Sequence, residues 1–128
     1  MGVALLVRAR RHRAWNADLA AAEDEVAWFA RTLVPELQRA GSADQIVGGW
    51  AVGSGRVSAV EDRLTALEAS ALDDAGRFRA QTLRDAVQVC RERVQELAGS
   101  EATDTRLRNL DEVAAELEAA LRAASAME

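Results

Sequence analysis

The sequence predicts an all-α protein, an antiparallel four-helix bundle with heptad-like packing whose long first helix carries a basic N-terminal extension. Apolar residues recur at alternating steps of three and four along four successive stretches, and this spacing places them on one face of a helix. The chain has one Pro, no Tyr and many strong helix formers, so no segment favours a strand. Its 128 residues fit a single domain. We divide it into an apolar and basic segment, residues 1–14, that continues into helix one, and a bundle domain, residues 15–128.

The first periodic stretch predicts a helix that runs to about Ala40. Pro35 removes a backbone donor and crowds the preceding turn, so it should kink or loosen the last turn. Gly41 is the expected C-terminal cap. Trp28 lies beside the apolar stripe, where it either widens the buried face or contacts another molecule. The stripe itself consists of Trp15, Leu19, Ala22, Val26, Phe29 and Leu33.

A glycine-rich connection is expected between helix one and helix two. Ser42 and Gln45 have the spacing of a capping box and should begin a short helical turn. The glycines at 48, 49, 53 and 55 should end that turn, and Ser54 or Ser58 should cap helix two. Trp50 falls within this connection, where it would cover one end of the bundle or line a small ligand pocket.

Three further stripes follow, and the short turns between them predict antiparallel neighbours. Asp73 and Asp74 suit the start of helix three, the Gly-Ser pair at 99–100 should end it, and Thr103 or Asp104 should cap helix four. The stripes comprise Val57, Val60, Leu64, Leu67 and Ala71 in helix two; Ala80, Leu83, Val87, Cys90, Val94 and Leu97 in helix three; and Leu107, Leu110, Ala114, Leu117, Leu121 and Ala124 in helix four.

Charges beside the stripes test this arrangement. Antiparallel packing brings the same heptad edge of two helices together, so acids on one edge of helix two should meet arginines of helix three. Arginines on the other edge of helix two should meet acids of helix one. The residues concerned are Glu61 and Glu68 with Arg77, Arg84 and Arg91, and Arg56 and Arg63 with Asp18 and Glu25.

The same scheme leaves the charges around helix four unmatched. It places Arg79 and Arg93 against Arg106, and it places Asp111 and Glu118 against Glu23. Such charges are either solvated or face another molecule. The predicted partner-contact residues are therefore Trp28, Arg79, Arg93, Asp111 and Glu118.

The amino-terminal segment is basic although the chain is acidic. Residues 2–7 are apolar or Gly, and Arg8, Arg10, Arg11 and Arg13 follow within six positions. The whole chain carries −5, and residues 15–128 carry −9, because four of the 16 basic residues and none of the 21 acidic residues precede them. The apolar run comes before the charges, the reverse of a signal peptide, and it is far shorter than the ~20 residues that span a bilayer.

This order is typical of the cytoplasmic end of a membrane helix, where arginines follow the apolar span. The segment is therefore predicted to be juxtamembrane, either as the tail of a preceding span or as a weak contact with an anionic bilayer. A solvated extension of helix one is the plain alternative. Nucleic acid is the other polyanion that the four arginines could contact, although an acidic body opposes it.

No arrangement of residues in the sequence predicts catalysis, a cofactor or a metal site. His12 is the only histidine and lies among the arginines, and Cys90 occupies a core position. We therefore expect a non-enzymatic scaffold or adaptor, cytoplasmic and at the inner face of the membrane, that binds another protein or itself through helix faces. The alternative is a regulatory module that binds nucleic acid through the arginines or a small ligand near Trp50. No small-molecule substrate is expected.

Overall fold

The computed structural model describes residues 2–97 and 103–126, and within these ranges the protein is helical. Its helices pack against one another around one core. The predicted all-α class is confirmed. The elements are α1 (Gly2–Trp28), a wide π-helical turn (Phe29–Leu33), α2 (Val34–Gln38), α3 (Ala43–Ala69), α4 (Asp74–Leu97) and α5 (Thr103–Ala126).

The predicted stripes of the first three helices form the core. Every stripe residue from Trp15 to Leu33, from Val57 to Leu67 and from Ala80 to Leu97 is buried, and Ala71 is half-buried against them. The Trp15 indole Nε1 donates a 3.0 Å hydrogen bond to the carbonyl of Leu67, which fixes α1 to the end of α3. Trp15 is therefore a core residue that also satisfies its polar group.

The chain widens immediately before Pro35, as the sequence predicts. In the π-helical turn, the backbone N–H of Val34 bonds to the carbonyl of Phe29, five residues earlier. A proline ring would clash with the carbonyl four residues before it, and a wider turn relieves that crowding. The helix then ends at Gln38, slightly before the predicted Ala40. Gly41 has no positive φ and instead donates its N–H to the Gln45 side chain at 2.5 Å.

The predicted glycine-rich connection is wrong, because these glycines lie inside one long helix. Ser42 caps α3 as expected, since its Oγ accepts the Gln45 N–H at 3.2 Å. The helix then continues through all four glycines to Ala69, so neither Ser54 nor Ser58 caps a helix. Trp50 is accordingly a helical residue rather than part of a loop.

Two of the four glycines allow α3 to approach the π-helical turn and α2 closely. A Cβ on Gly53 would lie 2.8 Å from Cδ1 of Leu33, and a Cβ on Gly49 would lie 3.1 Å from Cδ2 of Leu37. A Cβ on Gly48 or Gly55 would meet nothing within 4 Å. A side chain at 53 would therefore require Leu33 to move and one at 49 would press on Leu37, whereas nothing within the described protein opposes a side chain at 48 or 55.

A pair of glycine substitutions separates these two situations. Gly55→Ala should raise the free energy of unfolding by about 0.5–1 kcal/mol, because alanine favours an exposed helix interior. Gly53→Ala should lower it by about 1 kcal/mol, because the clash with buried Leu33 outweighs the same gain in propensity. Urea denaturation of both variants measures the difference. Equal stabilisation by both would contradict the close contact at Gly53.

The stripe of α5 differs from the predicted one. Leu107 is 40% exposed and Ala114 only half-buried, whereas Val113 and Ala120 are buried. The buried series steps by four and three from a charged residue, and it consists of Arg106, Leu110, Val113, Leu117, Ala120 and Ala124. The predicted stripe began at Leu107 because the first buried position was expected to hold an apolar residue. That position is occupied by Arg106. Leu121 is also buried, as predicted.

The predicted start of helix three at Asp73 and Asp74 is confirmed. Asp73 precedes α4, and its Oδ1 accepts the N–H of Gly76 at 2.8 Å, which caps the helix. The Gly-Ser pair at 99–100 lies outside the described residues. The helix α5 begins at Thr103.

Each of the two seams with predicted charge complementarity contains at least one of the expected ion pairs, although within the described residues none joins Arg63 to Asp18. Arg84 bonds Glu68, Arg91 Nε lies 2.7 Å from Glu61, and Arg56 Nε lies 2.6 Å from Glu25. Arg77 differs, because it pairs with Asp74 on its own helix.

Cys90 is a buried core thiol. Its Sγ donates a weak hydrogen bond to the Val113 carbonyl at 3.6 Å, and burial raises the pKa of the thiol to about 12, to which the nearby Glu116 carboxylate adds. The thiolate is the reactive form, so alkylation at pH 8 should be at least about a thousandfold slower in the native protein than in urea. Iodoacetamide labelling followed by mass spectrometry measures this ratio. Comparable rates would show that the thiol is accessible.

Candidate functional site

The basic end of α1 projects beyond the core. The first buried residue of the helix is Trp15, and the residues before it are exposed except for His12, which is half-buried. The apolar side chains are exposed as well, with Val3 at 76%, Leu5 at 67% and Leu6 at 58%. An exposed cluster of large apolar residues at one end of a protein is typical of a contact surface.

Apolar and basic residues segregate along this helix rather than around it. The apolar residues occupy the outer end, and the four arginines, at 8, 10, 11 and 13, occupy the next turns toward the core. All four are exposed, and within the described ranges none of them forms an ion pair or a hydrogen bond with a carboxylate. The sequence-predicted polyanion contact is thus available for an external anion.

A cleft lies between the projecting helix and the turn that joins α3 to α4. Its volume is about 680 Å³. Arg10 and Arg13 are not among its lining residues. The helix contributes Ala4, Val7, Arg8, Arg11 and His12, and the turn contributes Leu72 and Asp73.

A second cavity of about 430 Å³ adjoins this cleft and shares His12, Leu72 and Asp73 with it. Trp15 lies on its inner side, where the absence of a side chain on Gly76 lets α4 approach the indole; a Cβ there would lie 3.0 Å from Cη2. The pair formed by Glu23 and Arg79 also lines it, so polar groups extend from the cleft to the core.

Arg79 is buried, which corrects its prediction as an unmatched charge. The residue is 8% exposed, Nη2 lies 3.6 Å from Glu23, and Nε donates to the carbonyl of Ala124 at 3.2 Å. Its side chain therefore joins three helices within the protein.

The other charges that were predicted to be unmatched also have partners within the chain. Arg93 Nη1 lies 3.4 Å from Glu116, and Asp111 accepts a 2.5 Å hydrogen bond from Gln38. Glu118 accepts two bonds from Arg31, at 2.7 and 3.0 Å, and this hydrogen bonding lowers the pKa of the carboxyl. These charges are therefore not unmatched, as the heptad scheme predicted, while their contact with a partner stays a prediction.

Trp28 is half-buried and stacks beneath a cation. The guanidinium of Arg56 lies 4.0 Å from the ring centroid and bonds both carboxylate oxygens of Glu25, at 2.6 and 2.9 Å. This hydrogen bonding lowers the pKa of Glu25. Trp28 and Arg56 also line a groove of about 410 Å³. Its other lining residues include Gly49, Val52 and Gly53.

Trp50 does not line that groove. It is 7% exposed and packs against Phe29 with ring centroids 6.0 Å apart. The predicted position of Trp50 in a loop is wrong. The ligand pocket near Trp50 was suggested because of that loop, so the structure gives no support for it.

Sequence reasoning missed the turn residues that complete the cleft. Leu72 is 44% exposed and directly precedes the capping Asp73. An apolar residue exposed in a turn is a weak signal, and its position under the arginines depends on how α1 packs against α3 and α4. The spacing of Arg8 and Arg11, one turn apart, was available from the sequence.

No protein-family model matches the chain, and no curated protein or solved structure is significantly similar to it. Among the residues that the structure describes, no helix combines the length and the apolar character needed to cross a bilayer. In the same ranges, no three metal-ligating side chains converge.

Proposed function

We propose that this chain is a non-enzymatic scaffold or adaptor domain that is held at the cytoplasmic, anionic face of a membrane and acts through protein contacts. The observation that carries the proposal is the end of α1. Apolar side chains at its outer turns are exposed, and four exposed arginines follow them, for which the described ranges contain no carboxylate partner. A bilayer offers hydrocarbon and anionic phosphate in that order from its interior outward.

The domain itself is proposed to be an antiparallel four-helix bundle with heptad-like packing, in which α1, the π-helical turn and α2 count as one rod. The order of the ion pairs supports this topology. Glu61 pairs with Arg91 while Glu68 pairs with Arg84, so positions that ascend on α3 descend on α4. Buried residues at steps of three and four support the heptad-like packing.

Protein contacts are proposed for the outer faces of the helices. Exposed apolar side chains there include Val52 at 87% and Phe78 at 51%. Either another protein or a second copy of the chain would cover them. Light scattering across a range of concentrations tests self-association, and a constant monomer mass would exclude it.

Vesicle flotation tests the membrane proposal. The chain should float with vesicles that contain phosphatidylglycerol and not with neutral phosphatidylcholine vesicles. Changing all four arginines to Gln should reduce the partition about a thousandfold, because each arginine near the headgroups contributes about 1 kcal/mol. Flotation of this variant equal to that of the original chain would refute the proposal.

Nucleic acid is the competing partner, because the same four arginines could neutralise phosphates. The exposed Val3, Leu5 and Leu6 favour a membrane, since a nucleic-acid backbone would leave them uncovered. Binding to labelled DNA at physiological salt, without flotation, would replace the membrane proposal with this one.

A further inference from the structure

We infer that the cleft between the first turns of α1 and the α3–α4 turn holds the phosphate headgroup of an anionic membrane lipid, bound by Arg8 and Arg11. This inference rests on the proposed membrane function and adds a specific site to it. A basic surface attracts any anionic bilayer, whereas a cleft selects one lipid molecule. The four arginines differ in whether they line the cleft.

The arginines divide into two pairs. Arg8 and Arg11 both line the cleft with His12, while Arg10 and Arg13 do not. Residues three apart on a helix lie about 5–6 Å from each other at Cβ, so the two guanidinium groups can reach one phosphate. Guanidinium donors match phosphate oxygens in a forked geometry, which makes arginine the residue that binds this group best.

The acid in the cleft leaves the basic character intact. Among the described residues that line the cleft, Asp73 is the one carboxylate, and its Oδ1 accepts the Gly76 N–H at 2.8 Å. Its charge stabilises the start of α4. Two arginines against one acid leave the lining residues with a net positive charge, which suits a phosphodiester.

The walls of the cleft identify a lipid rather than a small soluble phosphate. Ala4, Val7 and Leu72 line it, and Val7 and Leu72 are 42% and 44% exposed. A soluble phosphate would leave this apolar surface in water, whereas an acyl chain would cover it. The volume of about 680 Å³ lies in the range of ligand sites.

The direction of the cleft also fits a lipid in a bilayer. Arg8 and Arg11 lie nearer the core than Ala4 does, and the exposed Leu5 and Val3 lie at the outer turns. A headgroup on the arginines would therefore send its acyl chain along Val7 and Ala4 toward the apolar tip. That tip is the part proposed to enter the membrane.

Two variants of equal charge test the inference. Arg8→Gln with Arg11→Gln is compared with Arg10→Gln with Arg13→Gln, in the full chain and with phosphatidylglycerol vesicles. All four residues are exposed on one helix, so both variants should fold. The variant changed at Arg8 and Arg11 should bind at least about tenfold more weakly than the variant changed at Arg10 and Arg13, because only the first loses the forked phosphate contacts in the cleft. Equal losses in both would overturn the cleft while leaving the membrane proposal standing.

A soluble probe identifies the source of the phosphate. Dihexanoyl phosphatidylglycerol below its micelle concentration should shift the NMR signals of Arg8, Arg11 and Leu72. Glycerol phosphate at the same concentration should leave them unchanged. Equal shifts with both would overturn the lipid assignment in favour of a free phosphate site. If the original chain does not float with phosphatidylglycerol vesicles, the membrane proposal itself fails.

Discussion

Replacing Phe29 with alanine should lower the free energy of unfolding by about 3–5 kcal/mol. Phe29 is fully buried, lies at the start of the π-helical turn and packs against Trp50. Its loss leaves a cavity where α1 and α3 meet, and the helical backbone on both sides limits collapse. Because domains of this size are stable by about 5–15 kcal/mol, the variant should be close to unfolding. Urea denaturation followed by tryptophan fluorescence measures the loss.

The chain provides a matched control in its other phenylalanine. Phe78 is 51% exposed on α4, so Phe78→Ala removes the same atoms from a solvated position. We expect a change within about 0.5 kcal/mol. A loss at Phe78 as large as that at Phe29 would mean that the helix face around Phe78 is covered, which would indicate self-association.

Replacing Arg79 with alanine should have the second large effect, a loss of about 3 kcal/mol. The substitution removes the buried guanidinium that lies beside Glu23 and donates to the Ala124 carbonyl. Glu23 and the Ala124 carbonyl then lose a donor beside the core, and an incompletely paired polar group there is unfavourable. The loss is expected in the urea midpoint of the full chain.

Arg77 is the control for this experiment. It lies on the same helix and pairs with Asp74, with side chains that are 52% and 100% exposed. Exposed pairs contribute little, so Arg77→Ala should change stability by less than about 1 kcal/mol. If Arg79→Ala were equally mild, the pair with Glu23 would not be a structural element of the bundle.

Much of the fold follows from apolar spacing, and its errors have a common cause. The stripes of three helices were predicted correctly because Leu and Val occupy the positions that face the core. The stripe of α5 was correct at Leu110, Leu117, Leu121 and Ala124, and its start was wrong because Arg106, a charged residue, occupies the first buried position. Pattern reading treats charge as a sign of exposure, and only the tertiary arrangement shows that a charged residue can be buried among neighbouring helices.

The glycine-rich segment was mispredicted for a related reason. Glycine disfavours a helix by about 1 kcal/mol, so a cluster of them predicts a break. In the folded protein Gly49 and Gly53 meet Leu37 and Leu33, and packing outweighs the local preference. The sequence does not contain the position of Leu33 relative to Gly53, since twenty residues separate them.

The candidate site was partly predictable. The arginines follow from the sequence, and steps of four and three backward from Trp15 reach Arg11 and Arg8, which sets this pair apart from Arg10 and Arg13. The cleft beside Arg8 and Arg11 requires knowing where the α3–α4 turn lies. Leu72 and Asp73 reach the cleft only because α3 ends beside Trp15, through the hydrogen bond to Leu67.

The projecting part of α1 also separates two opposite charges by a fixed distance. In the proposal the apolar residues 2–7 enter the bilayer, so the separation runs from Arg8 to Trp15, about 10 Å along a continuous helix, and the acidic remainder of the chain begins beyond it. At physiological ionic strength the Debye length is about 8 Å, so an anionic surface at the level of Arg8 is partly screened from the acidic body. At very low ionic strength the screening length exceeds this separation, and the body should repel that surface. Attachment should then be strongest at intermediate salt, a behaviour that a uniformly basic protein would not show.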